Sequence, residues 1–129
     1  MTEADFYFYE PARGHGLPHD PFKAIVGPRP IGWFSTLDAD GRVNLAPYSF
    51  YNALCDAPPI IGFSSSGRKH SLHNIEAAGE FVANFVSRAL ATAMNLTSSE
   101  VPPGVDEMAL AGLTPAPCRL VKPPRVAES

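Results

Sequence analysis

The segment "FSSSGRK" places successive hydroxyls and two cations between an apolar run and a stretch with a helical pattern. Serine hydroxyls, consecutive backbone N–H groups and the positive end of a helix dipole are groups that bind phosphate oxygens. Arg68 and Lys69 would add charge to such a cradle. The alternative is a solvated turn with a serine cap, because Ser-Gly turns are common. The glycine spacing of P-loops and of dinucleotide-binding turns is missing, so neither of those sites is indicated.

A second segment, "NLAPYSFYNA", mixes polar and aromatic side chains. Polar groups beside flat apolar rings suit a planar heterocycle with hydrogen-bonding edges. An ordinary loop whose rings fill the core would show the same pattern. The polar positions are Asn44, Ser49, Tyr51 and Asn52, and the aromatic ones between them are Tyr48 and Phe50.

Arg29 lies between two prolines in "GPRPIGW", which makes its backbone stiff. Its guanidinium could face an anion or solvent, and the sequence leaves both readings open. Trp33 follows in the same segment, and we expect it in the core because a tryptophan within a strand usually packs.

His70 and His73 are three residues apart on a predicted helix and are therefore neighbours. A metal pair is one interpretation, but no third ligand stands at a recognisable spacing, which favours a surface pair. Cys55 and Cys118 occupy no metal or redox spacing and predict free thiols in a reducing cytoplasm. The acidic residues around Asp106 are interpreted as helix-start charges, not as an acid–base pair.

The composition is that of one globular domain. The chain has 129 residues, of which 45% are hydrophobic and 18% charged, and its net charge is −3. A nucleic-acid binder would usually be basic, so we expect no nucleic-acid partner. The apolar runs are shorter than a membrane span, and the first residues do not resemble a signal peptide, so a cytoplasmic location is expected.

The elements that position these residues must be short, because fourteen prolines interrupt the chain. Few crossover helices separate the strands, which predicts an antiparallel barrel or sheet, a mainly β fold with helices. After an irregular arm over 1–19, the sequence predicts helices at 20–27, 69–79, 87–96 and 106–113, strands at 30–38, 42–48, 60–64, 80–86 and 118–121, a turn at 38–41 and a loop at 49–59.

Taken in order, these segments resemble the flavin reductase-like family. The resemblance begins near Asp20 and rests on "PRPIGW", "GRVNLAPYSF", "PP", "SSGRK" and "EFVANFV", followed by "MNLTS" and "VKPPRVAES". It implies one domain over residues 20–129, a split β-barrel that binds FMN, with FAD as the alternative, and a homodimer.

The resemblance also implies roles for individual residues. The loop matching Ser49, Phe50, Tyr51 and Asn52 would lie along the isoalloxazine and the ribityl chain. Arg29 and Asn84 would belong to the flavin's surroundings. The turn that takes the phosphate would contribute Ser64, Ser65, Ser66, Arg68 and Lys69.

The implied activity is hydride transfer from NADH or NADPH to flavin, and onward to free flavin, oxygen or a partner oxygenase. Such transfer needs no side-chain acid, base or nucleophile, because the flavin carries the chemistry. The alternatives are a non-catalytic flavin- or haem-binding module, a degenerate remnant of the family, or an interaction domain without a cofactor.

Two features depart from the family pattern. After Lys69 the family commonly has an acidic residue and then Ser or Thr, whereas this chain has His70 and Ser71. Family members also continue well beyond "PPRVAES", so we expect a barrel that is incomplete at its C-terminal end. An incomplete barrel would leave an open edge and apolar faces that favour pairing with another chain.

Overall fold

The computed structural model describes residues 6–129. Within them, antiparallel strands form one three-stranded and two two-stranded sheets, joined by short helices. The helices are α1 (Pro21–Ile25), α2 (His70–Ala78), α3 (Ala91–Leu96) and α4 (Glu107–Leu110), and the strands are β1 (Gly32–Leu37), β2 (Val43–Tyr48), β3 (Tyr51–Asp56), β4 (Pro59–Phe63), β5 (Val82–Asn84), β6 (Pro115–Ala116) and β7 (Arg125–Val126). The predicted mainly β fold with helices is confirmed, and the described sheets are open.

The β1–β2 hairpin was predicted from the sequence and is confirmed. Asp38 closes its turn, because its carboxylate accepts hydrogen bonds from the backbone N–H groups of Asp40 and Arg42 at 2.9 and 2.8 Å. Gly41 in this turn has φ +79°, a conformation that side-chain-bearing residues rarely adopt. Pro47 lies on β2, an edge strand in the order β2-β1-β5, where a missing N–H costs no ladder bond.

One face of this sheet carries the apolar core. Trp33 is fully buried there, as expected, and its indole N–H donates to the Thr97 hydroxyl at 2.9 Å. Burial of a tryptophan with its polar atom satisfied is a large stabilising contribution. The core cluster consists of Trp33, Leu45, Met108, Leu113 and Val126.

The opposite face is covered by α2 through polar contacts. The Asn44 amide donates to the Ser71 hydroxyl at 2.8 Å, and the Asn74 amide donates to the Thr36 hydroxyl at 3.0 Å. Leu72 is only half-buried in this helix, whereas Ser71 and Asn74 are buried. These hydrogen bonds fix the helix in register on the sheet.

An aromatic cluster joins the central sheet to the β3–β4 hairpin. The Phe34 ring stacks on Phe63 with centroids 4.3 Å apart, and Tyr48 packs against Phe63 at 4.8 Å. Tyr51 and Phe81 meet Phe34 edge to face at 5.5 and 5.2 Å. These rings set the position of the hairpin relative to β1 and β2.

The prediction of a loop over 49–59 is wrong, because residues 51–56 form β3 and pair with β4 across an irregularity at Ala53 and Cys55. Local alternation did not indicate this strand, since β3 and most of β4 are exposed along both faces. The strand predicted at 60–64 forms as β4, but it is largely exposed rather than buried, with Ile60 45% exposed.

The C-terminal predictions were partly wrong. No strand forms at 118–121; the pairing strands are β6 and β7 instead. The strand expected over 80–86 is confined to β5, and Ser87 precedes a 3-10 turn without capping it by its side chain. The remaining predicted helices are confirmed, with Asp20 capping α1 and Asp106 capping α4. Of the expected N-terminal arm, residues 1–5 lie outside the described residues.

None of the helices in residues 6–129 combines the length and apolar character that crossing a bilayer requires.

Candidate functional site

The two polar segments singled out in the sequence meet at the open end of the β3–β4 hairpin. Tyr51 pairs with Phe63, and beyond that pair the Ser64 N–H donates to the Phe50 carbonyl at 2.9 Å. The Ser49–Asn52 segment therefore lies directly beside the turn that begins at Ser64. Sequence separation hid this neighbourhood, which arises because β3 is a strand and not a loop.

The turn over 64–69 is preformed and leads into α2. The Ser65 hydroxyl donates to the Gly67 carbonyl at 2.8 Å, and Gly67 adopts φ +87°, which favours glycine. Lys69 is the N-cap residue but makes no side-chain cap, so the first-turn N–H groups of α2 have no side-chain acceptor among the described residues. An anion is the natural partner for such N–H groups.

The two cations of this turn are engaged differently. Arg68 forms an exposed ion pair with Glu76 at 2.5 Å. Lys69 has no ion pair among the described residues, and its ammonium lies 5.9 Å from the centroid of the Tyr48 ring. Lys69 is therefore the cation that a ligand could recruit without breaking an existing pair.

A cavity of about 420 Å³ lies along the free edge of β2, and we call it the edge cavity. It is bounded by β2 on one side, by the start of α2 on a second and by segment 97–101 on a third. Its polar lining includes Asn44, Tyr48, Arg68, Lys69, His70, Ser71, Ser98, Ser99 and Glu107. Cations, hydroxyls and the carboxylates of Glu100 and Glu107 thus face one space.

Tyr48 lines this cavity and carries a buried hydroxyl. Tyr48 is 6% exposed, and its hydroxyl is buried without a hydrogen-bond partner among the described residues. A buried polar atom of this kind is unusual in proteins, since nearly all are paired. Together with Lys69 and the uncapped start of α2, it fits a ligand that carries a phosphate and further oxygens.

Glu107 is the buried carboxylate of the edge cavity and is 6% exposed. Burial raises the pKa of Glu107, and the neighbouring Asp106 charge raises it further, whereas hydrogen bonds from its own N–H and that of Leu45, together with His70, lower it. The Leu45 N–H donates to Oε2 at 3.2 Å, which satisfies one outward-facing donor on the edge of β2. Sequence reasoning interpreted this region as helix-start charge and missed Glu107.

We expect Glu107→Gln to change the pH dependence of stability. Because the pKa is raised in the folded chain, the stability due to the protonated carboxyl is present below the ordinary glutamate range and lost as pH rises through the folded value. Glutamine can accept from Leu45 without charge. The free energy of unfolding should be similar for variant and natural chain at pH 4, and higher for the variant at pH 8.

Urea denaturation at pH 4, 6 and 8 measures this difference. Glu100→Gln is the matched control, because Glu100 lines the same cavity but is exposed. A difference for Glu107→Gln that stays constant between pH 4 and pH 8 would contradict the expectation.

Arg29 positions the Ser49–Asn52 segment from outside the cavity. Its Nε donates to the Ser49 carbonyl at 3.1 Å, Nη1 donates to the Lys23 and Val26 carbonyls, and the guanidinium carbon lies 5.1 Å from the centroid of the Phe50 ring. The structure therefore ties Arg29 to α1 and to the segment before β3.

Asn84 is placed apart from the turn over 64–69. Its Nδ2 donates to the Trp33 carbonyl at 3.1 Å and lies 3.3 Å from the Ser35 hydroxyl, while its Oδ1 accepts from the Val126 N–H at 2.8 Å. Asn84 also lines a second cavity of about 660 Å³ with Tyr51, which we call the β5 cavity. The predicted site residues thus divide between the two edges of the central sheet.

The two histidines of α2 are brought together but not with further ligands. His70 and His73 line a third cavity, of about 530 Å³, with Arg42 and Lys69. Among residues 6–129, no group of three or more histidine, cysteine or acidic side chains could hold a metal ion.

The chain is similar to known proteins of one family. Residues 27–129 match the family model described as "Flavin reductase like domain". An uncharacterized protein of Aquifex aeolicus is 42% identical over 116 residues, which cover 84% of this chain and 59% of that protein. The chain spans about half the length of the curated relatives it matches.

Solved structures give the same result for the fold. Nitrilotriacetate monooxygenase component B from Bacillus cereus superposes with a TM-score of 0.85 at 28% identity, covering 96% of this chain and 64% of that one. A Shewanella frigidimarina protein described as a flavin reductase with a split barrel domain superposes with a TM-score of 0.74 at 27% identity, covering 78% and 51%. The architecture is that of the split barrel.

Proposed function

The chain belongs to the flavin reductase-like family, and from that premise we propose that it binds FMN and catalyses hydride transfer from NADH or NADPH to the flavin. The observation that carries the proposal is the edge cavity. Within residues 6–129 it brings together a lysine without an ion pair, a helix start without a side-chain cap and a buried hydroxyl without a hydrogen-bond partner. FAD is the alternative flavin. In this proposal residues 20–129 act as one domain and residues 1–19 as an arm.

The phosphate end is assigned to the turn before α2. Ser64 and Ser66 supply hydroxyl donors, and Ser65 and Ser66 supply N–H donors, because the Ser64 N–H and the Ser65 hydroxyl already donate within the fold. The first turn of α2 adds N–H groups without a side-chain acceptor among the described residues, and its positive dipole end. Lys69 supplies a cation that no described carboxylate holds. Arg68 can contribute as well, since its ion pair with Glu76 is exposed and such pairs are weak.

The ring end is assigned to the Ser49–Asn52 segment. Arg29 holds the Ser49 carbonyl and Phe50, so the segment keeps one conformation against which a planar ring can be placed. The side chains of Tyr51 and Asn52 offer an aromatic face and an amide. Asn84 belongs to this end only through the β5 cavity that it shares with Tyr51.

The catalytic role of the protein is placement. When bound, FMN supplies the hydride acceptor and passes electrons on to free flavin, oxygen or a partner oxygenase. The chain's own residues fix the phosphate, orient the ring and keep water from the covered part of the site. No described side chain is assigned as an acid, base or nucleophile in this proposal.

A second copy of the chain is the proposed partner, giving a homodimer. The support is apolar surface that one copy leaves in solvent, including Leu54 at 69%, Phe85 at 76% and Leu120 at 96% exposed. A partner oxygenase is the proposed electron acceptor, by analogy with the Bacillus cereus protein, which is a monooxygenase component. A cytoplasmic location is supported by the free thiols of Cys55 and Cys118.

The proposal is tested by titrating the purified chain with FMN while flavin fluorescence is followed, and by recording its mass in solution. We expect saturable binding by a dimer, and then oxidation of NADH or NADPH by the FMN-loaded protein. Binding without oxidation would identify a non-catalytic flavin module. A folded chain that binds no flavin would contradict the proposal and indicate a haem-binding or interaction domain. Adding haem would distinguish these two, because only the haem-binding domain would bind it.

A further inference from the structure

Tyr48 carries a hydroxyl that the fold itself does not use. Its oxygen has no hydrogen-bond partner among residues 6–129 and is shielded from water. Folding removes such a hydroxyl from water without replacing the lost hydrogen bonds, which costs free energy. A phenylalanine would fill the same space without that cost.

The ring of Tyr48 is held from two directions. Phe34 and Phe63 pack against it with centroids 5.8 and 4.8 Å away, so the ring has a fixed apolar bed. The Lys69 ammonium lies 5.9 Å from the ring centroid, within reach of a cation–π contact. If Lys69 turns toward an anion, it uncovers the part of the ring that it shields.

Polar groups line much of the space beside Tyr48, next to the apolar residues Ala46, Pro47 and Val101. The edge cavity also presents the serines Ser71, Ser98 and Ser99, together with Glu107. Such a lining suits a ligand with several oxygens, and a phenol can both donate to and accept from an oxygen. An apolar ligand would leave these polar side chains without hydrogen-bond partners.

We propose that the Tyr48 hydroxyl is a ligand-binding group that hydrogen-bonds an oxygen of the phosphorylated polyol chain of the flavin. This inference rests on the proposed function, because it takes a flavin to be the ligand. The inference adds Tyr48 to the binding site, whereas the sequence had assigned this residue only as an aromatic face. Lys69 and Tyr48 then act together, the first releasing the ring as it meets the phosphate and the second gaining its missing partner.

Tyr48→Phe tests the proposal because it removes one oxygen and keeps the ring. FMN affinity should fall roughly threefold to tenfold, the effect of losing one hydrogen bond. The urea midpoint of the ligand-free variant should equal or exceed that of the natural chain, because the lost hydroxyl had no partner within the fold. Tyr9→Phe is the control, since Tyr9 lines none of the three cavities described above, and it should change neither quantity.

Riboflavin, which lacks the phosphate, identifies the oxygen. An equal loss of riboflavin and FMN affinity assigns the bond to a polyol hydroxyl, and a loss confined to FMN assigns it to the phosphate. Unchanged affinity for both flavins overturns the proposal, as does a loss accompanied by a lower urea midpoint, which would indicate a packing defect. If the natural chain binds no flavin, the proposed function fails and this inference fails with it.

Discussion

The double variant Ser65→Ala/Lys69→Ala should bind FMN about tenfold to a hundredfold more weakly than the natural chain. A phosphate monoester carries about −1.5 to −2 charges at neutral pH, and hydrogen bonds to charged groups contribute about 1.5–3 kcal/mol each. The Lys69 ammonium has no other anion among the described residues, so its contribution to phosphate binding is not offset by a broken ion pair.

Ser65 has a smaller share in this effect. Its hydroxyl already donates to the Gly67 carbonyl at 2.8 Å, so it shapes the turn, and it can donate to a phosphate oxygen only by leaving that carbonyl. Alanine leaves that carbonyl to water at an exposed site, which costs little stability. The fold should therefore survive, and a urea titration of the double variant checks that it does.

The measurement is an FMN titration at 50 mM and 500 mM salt, with riboflavin as a second ligand. The natural chain should lose affinity for FMN on going to high salt, and the variant should lose less, because screening acts on the charge that was removed. Riboflavin affinity should be similar in both. Lys122→Ala is the charge control, since Lys122 lines none of the three cavities. Unchanged FMN affinity in the double variant would contradict the assignment of the phosphate site to this turn.

Asn84→Ala should destabilise the fold by roughly 3 kcal/mol. The Asn84 amide is 6% exposed and joins β5 to β1 through Trp33 and Ser35 and to β7 through Val126. Alanine leaves the buried Trp33 carbonyl and the buried Val126 N–H without this partner, and each such group costs about 1–3 kcal/mol. Little water can reach these atoms to replace the lost bonds.

Urea denaturation of the flavin-free chain measures this cost. Asn52→Ala is the matched control for stability, because Asn52 is exposed and its side-chain carbonyl accepts a hydrogen bond from the adjacent Ala53 N–H. If Asn84→Ala changes the free energy of unfolding by less than about 0.5 kcal/mol but weakens FMN binding, then Asn84 belongs to the flavin site, as the family resemblance implied.

Part of this molecule could be derived from local sequence. The β1–β2 hairpin follows from a turn rich in aspartate and glycine, and α1 from Asp20 preceding Pro21. The end of α2 follows from Gly79, which adopts φ +72°. Each of these features depends on residues within about one turn of one another, so the local sequence is enough to predict it.

The family was also accessible from the sequence, and the resemblance is confirmed by the match over residues 27–129. The sequence did not predict the strand β3, because its residues lack an apolar alternation and lie on a hairpin exposed to solvent. A strand of that kind is defined by its partner β4 and by the aromatic cluster, not by its own pattern.

The candidate site also has features that the sequence predicted and features that only the tertiary structure revealed. The sequence by itself predicted a phosphate site at the turn over 64–69, since hydroxyls and cations can be read from residue types. Only the tertiary structure showed that the buried Tyr48 hydroxyl has no partner among residues 6–129 and that the Asn84 amide hydrogen-bonds to two other strands, β1 and β7. It also buried Glu107 against Leu45, 62 residues earlier in the chain. Burial and hydrogen-bond satisfaction depend on which distant segments pack together, and no local pattern encodes that.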